Sequence, residues 1–231
     1  MLTAILHLSY SVISFIVGLI IIFFSSLKKG KTNANVIYFG FFFLLFSIYR
    51  LLLSSYLFIK DPFLVKEIYL LAVLVFFVMI TLAERTALRM MHCKGLTKSV
   101  ITLTFILLAV ITTSLQLINF NLPTINENGF IYWNMDIWSS WIAGISGFAV
   151  AMTWVYVFMR NIAGSINTVD RIKSYLIAFA AMLMGISSLT YFHSNYYALL
   201  TAFITALAGV ISVIFALLLP YVGRKWIKEE K

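Results

Sequence analysis

One arginine inside an apolar stretch frames the chemistry open to this chain. Arg50 is the only charged residue between Val36 and Ile59. A guanidinium held in hydrocarbon needs a carboxylate, carbonyls, water or an anionic ligand, because leaving it bare costs at least a few kcal/mol. At about 1.5 Å per residue Arg50 lies roughly 21 Å along a helix begun at Val36, about 9 Å short of the far boundary of a 30 Å hydrocarbon core. His7, Asp136 and His193 are expected at similar depth, with Tyr49, Trp138, Tyr191, Tyr196 and Tyr197 beside them. Together these residues could line one outward-facing polar cavity. In one reading, Arg50 meets the anionic group of a small-molecule ligand there. In the other, it snorkels to the outer interface or pairs with Asp136, and both histidines sit at headgroup level. Asp136 is the first choice of partner because the other acids near the outer side are Asp61 and Glu67, and tyrosine hydroxyls come second.

Catalysis finds little material, and the chain is not expected to be an enzyme. There is no Gly-x-Ser-x-Gly elbow, no His-x-x-x-His pair and no Gly-rich phosphate loop, and Ser194 beside His193 is an isolated juxtaposition. No cofactor or metal is called for: a single cysteine, Cys93, rules out a four-thiolate zinc site. Flanked by His92 and Lys94, Cys93 reads as an interfacial thiol, with palmitoylation as the alternative. Axial haem ligation by His7 and His193 needs two histidines at matching depth, a weakly specific signal.

The elements that must position these residues follow from composition. Of 231 residues, 62% are hydrophobic and 11% charged, whereas water-facing surfaces need about 25% charged residues. The chain is therefore expected to be all-α and embedded in a membrane. Runs long enough to span cover about Ala4–Leu27, Val36–Ile59, Phe63–Leu88, Ser99–Ile118, Ile137–Met159, Ile172–Phe192 and Tyr196–Tyr221. They form a single seven-helix domain, residues 1–231, a multi-pass protein of the cell membrane.

Orientation comes from the basic residues. Lys28, Lys29, Lys31, Arg85, Arg89, Lys94, Lys98, Arg160, Arg171, Lys173, Arg224, Lys225, Lys228 and Lys231 fall on one side, and Lys60 and Lys66 on the other. Fourteen against two places the N-terminus outside and the C-terminus in the cytoplasm. Because this basic excess lies beside helix ends, its expected partner is anionic membrane lipid and not nucleic acid. Trp133, Trp138 and Trp141 would form an outer aromatic belt and Trp226 an inner anchor.

Small residues concentrate in the last three spans. Ala143, Gly147 and Ala151, then Ala181 and Gly185, then Thr201, Thr205 and Gly209 predict close helix contacts, with the last three on one buried face. The second span carries Phe39, Phe41, Phe42, Phe43, Phe46 and Phe58 all round, which predicts a peripheral helix. The loop from Asn119 to Asp136 is external and holds Asn128-Gly129, read either as a type I′ hairpin turn over the outer mouth or as an irregular loop. The spacing allows a three-one-three arrangement of spans. Sugar facilitators built that way resemble the chain in topology, but their bundle prolines have no counterpart among Pro62, Pro123 and Pro220, which fall at or beyond expected helix ends.

Glu84-Arg85 resembles the acidic-Arg pair of eukaryotic seven-helix receptors in that dipeptide alone. Microbial rhodopsins resemble the chain in helix number and orientation, but a retinal Schiff base needs a lysine in the seventh span, and Tyr196–Leu219 has none. The order of features resembles the seven-transmembrane N-terminal sensory region of prokaryotic histidine kinases. It comprises the basic first loop Lys28-Lys29-Gly30-Lys31, the Ser47-Ile48-Tyr49-Arg50 stretch, the short Lys60-Asp61-Pro62 turn, a longer fourth loop and the stop Gly223-Arg224-Lys225-Trp226. That resemblance implies a receptor-like or sensor-like module, expected to bind a small molecule or lipid from the outer side. Such regions lead into a kinase, so with the chain ending at Lys231 output is expected through a partner protein. The alternatives are a non-catalytic subunit of a larger membrane complex and a small-molecule facilitator.

Overall fold

The computed structural model describes residues 2–27, 34–164 and 167–229. Seven helices are present: α1 (Leu2–Leu27), α2 (Ala34–Leu53), α3 (Pro62–Met90), α4 (Gly95–Ile118), α5 (Ile137–Gly164), α6 (Thr168–Tyr191) and α7 (Tyr196–Glu229). Each contains a stretch long and apolar enough to cross a membrane. Lys28, Lys29, Lys31 and Lys231 lie outside the described residues, and the side chains of Pro220, Arg224, Lys225, Trp226 and Lys228 do too.

Side-chain caps set the starts of α3, α6 and α7. Asp61 Oδ1 accepts from Phe63 N at 3.0 Å, with Pro62 in the first turn of α3. Asn167 does the same for Val169 N at 2.9 Å on α6, and Asn195 for Tyr197 N at 2.9 Å on α7. Several helices outrun the expected spans: α4 starts at Gly95, α5 runs on through Arg160, and α7 continues through Pro220 to Glu229. Charges mark where a chain leaves hydrocarbon, not where its helix ends. α2 stops early, at Leu53, because Ser54 Oγ takes the Leu51 carbonyl at 2.7 Å and a 3-10 turn, Ser55–Leu57, follows. α3 ends in a Schellman arrangement, with Cys93 N donating to Leu88 O, His92 N to Arg89 O, and His92 at φ 58° where glycine is usual.

Neighbour contacts close a ring in the order α1, α2, α3, α5, α6, α7, with α4 outside it against α3 and α5. Close approach occurs where small residues allow it. A Cβ on Gly185 would lie 2.9 Å from Ala151 Cβ, and one on Gly144 3.3 Å from the Ser188 carbonyl, so α5 and α6 meet nearly backbone to backbone. A Cβ on Gly209 would lie 3.2 Å from the Ala180 carbonyl of α6. The same device, not expected from sequence, joins α1 to α2, where a Cβ on Gly18 would lie 3.1 Å from the Gly40 carbonyl.

Two packing expectations fail. Thr201 is exposed and Thr205 half-exposed. Thr205 returns its hydroxyl to Thr201 O at 2.8 Å, and Ala202, Phe203, Ala206, Val210 and Val213 form the buried face of α7 with Gly209. α2 is not peripheral: Phe43 and Phe46 are buried in the ring, although Phe41 and Phe58 face outward.

The fourth loop forms a hairpin, β1 (Thr124–Ile125) against β2 (Ile131–Tyr132), pairing Thr124 with Tyr132 and Ile125 with Ile131. Its turn is not type I′. Gly129 N donates to Asn126 O and Asn126 N to Phe130 O, both at 2.9 Å, with positive φ at Gly129 (75°) and not at Asn128. This is a type I turn closed by a glycine bulge. Phe130 and Ile131 are buried, and Ile131 N donates to Thr3 Oγ1 at 3.0 Å, so the hairpin roofs one end of the ring.

Candidate functional site

Three helices deliver a polar chain beneath that roof. α1 carries His7 and Tyr10 on one face, α2 carries Phe46, Tyr49 and Arg50, and α6 carries Ser187 and Tyr191 four residues apart. Ser11 Oγ donates to the Ser47 carbonyl at 2.9 Å, which fixes the register of α1 on α2 one turn away. Arg50, 4% exposed, places Nη1 3.1 Å from His7 Nδ1, and His7 Nε2 lies 3.0 Å from Tyr191 Oη. Tyr191 Oη also accepts from Trp133 Nε1 of the hairpin loop at 3.1 Å.

Donor logic assigns the hydrogens. A guanidinium only donates, so His7 Nδ1 accepts and its Nε2 carries the hydrogen that goes to Tyr191. Tyr191 Oη then accepts twice, and its own O–H remains to donate. Arg50 Nε makes no hydrogen bond to a described residue. Among the described residues no carboxylate pairs with Arg50. Its charge is instead surrounded by the rings of Phe46, Tyr10, Tyr191 and Tyr49, at 4.8, 5.3, 5.3 and 5.5 Å. Such contacts are worth about 0.5 to 2 kcal/mol each and neutralise nothing.

Arg50, Tyr49 and Tyr191 form one end of a cavity of about 110 Å³ inside the ring. The rest of its wall is apolar: Phe39, Phe42, Phe43 and Phe46 from α2, Phe76, Met79 and Ile80 from α3, Val150 and Trp154 from α5, Ile177 and Met184 from α6, and Val213 from α7. Ser187 and Ser188 also face it, but their hydroxyls donate to Ala202 O at 2.9 Å and Gly144 O at 3.4 Å.

The structure thus brings together His7, Tyr49, Arg50 and Tyr191 of the residues singled out by sequence, and leaves the other five elsewhere, Tyr196 packing its ring against Phe130 of the hairpin at 5.1 Å. Asp136 is not the partner of Arg50: it caps α5, accepting from Trp138 N at 3.0 Å and Ser139 N at 3.2 Å, and takes Asn119 Nδ2 at 2.9 Å. Trp138 and Tyr197 are 68% and 75% exposed, on the outside of the bundle. His193 lies with its ring 4.8 Å from that of Trp141, apart from His7, so the two histidines do not share a site. Nor does the cluster open outward, since the hairpin covers it. Trp133 leaves the expected aromatic belt for the core, stacked on Tyr69 at 4.4 Å.

Sequence reasoning missed a second buried cation. Lys66, counted as a loop charge, is fully buried, its Nζ donating to Gln116 Oε1 at 3.0 Å and to the Trp133 carbonyl at 3.2 Å. Its place one turn into a helix that begins at Pro62 was the available signal. Glu84 and Arg85 also part company. Glu84 is buried and accepts from Thr153 Oγ1 at 3.3 Å, while Arg85 is exposed in a groove with Tyr38, Arg89 and Lys98.

No protein-family model, curated protein or solved structure matches the chain.

Proposed function

We propose that the chain is a receptor-like or sensor-like module of the cell membrane that binds a small molecule or lipid within its helix ring and reports occupancy to a partner protein. The observation that carries this reading is Arg50: a buried guanidinium with no carboxylate among the described residues, an unused Nε, and a cavity directly beside it. A charge left so is stabilised by an anionic ligand more than by anything its neighbours supply. The reporting role is supported by connectivity, since His7, Arg50, Tyr191 and Trp133 tie α1, α2, α6 and the hairpin into one hydrogen-bonded chain. A ligand competing for Arg50 or Tyr191 would act on all four at once.

The N-terminus is proposed to be external and the C-terminus cytoplasmic. Lys66 no longer counts as a loop charge, which sharpens the basic asymmetry between the two ends. A reporter fluorescent only in the cytoplasm should light up at Lys231 and stay dark at Met1. The binding role is tested by thermal unfolding of the purified chain in neutral detergent against a small-molecule and lipid panel. A rise in Tm that disappears in Arg50→Gln is expected, and shifts indifferent to Arg50 would reject the site.

A facilitator is the second reading, favoured by one observation: the cavity lies within a six-helix ring with α4 outside. Liposome flux of a ligand found by the panel separates the two, because a receptor binds without transporting.

A further inference from the structure

We infer that the ligand is a single-chain amphiphile with a small anionic head, a long-chain carboxylate, lying with its head on Arg50 and Tyr191 and its chain along the phenylalanine wall of α2. This rests on reading the central cavity as a ligand site, and it adds the chemical class.

Three observations converge on that class. The first is charge. Arg50 is buried with one neutral side-chain acceptor, His7 Nδ1, and its Nε is unpaired among the described residues. Together with the spare O–H of Tyr191, the guanidinium lining this end of the cavity offers donors and a positive charge to an oxyanion. A carboxylate accepts from both, completing the guanidinium and adding the missing negative charge.

The second is polarity along the wall. Away from that end, the hydroxyls facing the cavity among the described residues, those of Ser187 and Ser188, are already donated to backbone carbonyls. A sugar, peptide or nucleotide would bury polar groups there without partners, at about 1 to 3 kcal/mol each. The ligand's polarity must be gathered at one end.

The third is shape. Phe39, Phe43, Phe46 and Arg50 recur at helical spacing on one side of α2, so the wall runs roughly 16 Å from the ring of Phe39 to the guanidinium. That suits an extended acyl chain. The head end is closed: His7, Tyr191 and Trp133 are hydrogen-bonded across it, and Trp133 is packed flat on Tyr69. A carboxylate fits such an end, whereas a phosphodiester bearing glycerol and a second chain does not.

The test uses the full chain in maltoside detergent, with hexadecanoate, hexadecanol, methyl hexadecanoate and a phosphatidylglycerol as probes. Binding is read by Tm and by quenching of tryptophan fluorescence, Trp154 being in the wall. Hexadecanoate should bind at least about tenfold more tightly than the alcohol or ester, the worth of one charge-assisted hydrogen bond. Arg50→Gln should erase that preference while leaving the alcohol's affinity within about threefold. Ala181→Phe, which fills the channel away from the head, should weaken acid and alcohol alike. Arg50→Lys keeps the charge but loses Nε, and should recover only part of the preference, which guards against misfolding of the glutamine variant. Equal binding of acid and alcohol, or a preference that survives Arg50→Gln, overturns the assignment, as does phosphatidylglycerol binding in place of the acid. If a different class of molecule binds in a manner sensitive to both Arg50→Gln and Ala181→Phe, the carboxylate assignment falls and the receptor reading stands. If nothing in either panel binds, both fall.

Discussion

Arg50 and Lys66 are two buried cations under the same hairpin, and neither has a carboxylate partner among the described residues. Their treatment differs. Lys66 is fully enclosed, its ammonium held by Gln116 Oε1 of α4 and the Trp133 carbonyl of the hairpin loop, with the rings of Tyr69 and Phe120 at 5.2 and 5.9 Å. Arg50 holds one neutral side-chain acceptor, keeps Nε unused and borders a cavity. Burial alone therefore does not mark a binding site. What separates the two is what they border: Lys66 is spent on tying α3, α4 and the hairpin together, and Arg50 lines a cavity.

The largest effect is expected at Lys66. Lys66→Met keeps the side chain's length but leaves the Gln116 and Trp133 carbonyl oxygens without a donor, at about 1 to 3 kcal/mol each. Thermal unfolding should show a loss of about 2 to 5 kcal/mol, with hexadecanoate affinity close to that of the parent once folded protein is selected. A loss below about 1 kcal/mol would put Lys66 in the same category as Arg50 and dissolve the comparison.

Tyr191→Phe comes next, because Tyr191 belongs to both regions. It removes the acceptor shared by His7 Nε2–H and Trp133 Nε1–H, so about 2 kcal/mol of stability should be lost. The same change removes a donor from the cavity, and carboxylate affinity should fall several-fold. Stability lost with unchanged affinity would show that Tyr191 serves only the roof.

Trp133→Phe should be milder, about 1 kcal/mol. The backbone carbonyl that receives Lys66 is unaffected, and much of the stacking on Tyr69 survives. A loss as large as that of Lys66→Met would mean that the indole N–H, and not the lysine, holds the hairpin down.

Much of this was legible in the sequence, for identifiable reasons. Seven spans follow from apolar runs that nothing else explains, and Arg50 stands out because a lone charge in such a run must be answered. His7, Tyr49 and Tyr191 follow from depth alone. Asp136 was misread because an acid opening a helix is equally a cap, and its spacing to Trp138 and Ser139 carried that alternative. The phenylalanines of α2 were misplaced because lipid and the wall of an apolar cavity are equally apolar, so hydropathy cannot tell one from the other. Thr201 and Thr205 fit a small-residue spacing, but a threonine satisfies its hydroxyl on its own helix and needs no neighbour. Lys66 falls inside the expected span Phe63–Leu88, but so near its start that it was counted with Lys60 among the outer charges, and its burial went unread.

The most direct test of the account is the Arg50→Met variant, measured for two quantities on one preparation: unfolding free energy without ligand, and affinity for hexadecanoate. Removing a buried charge that lacks a carboxylate partner leaves only His7 Nδ1 without its donor, so ligand-free stability should stay within about 1 kcal/mol of the parent or rise above it. Carboxylate affinity should fall at least about tenfold. A stability loss of about 3 kcal/mol or more with affinity unchanged would contradict the account and make Arg50 a structural tie like Lys66.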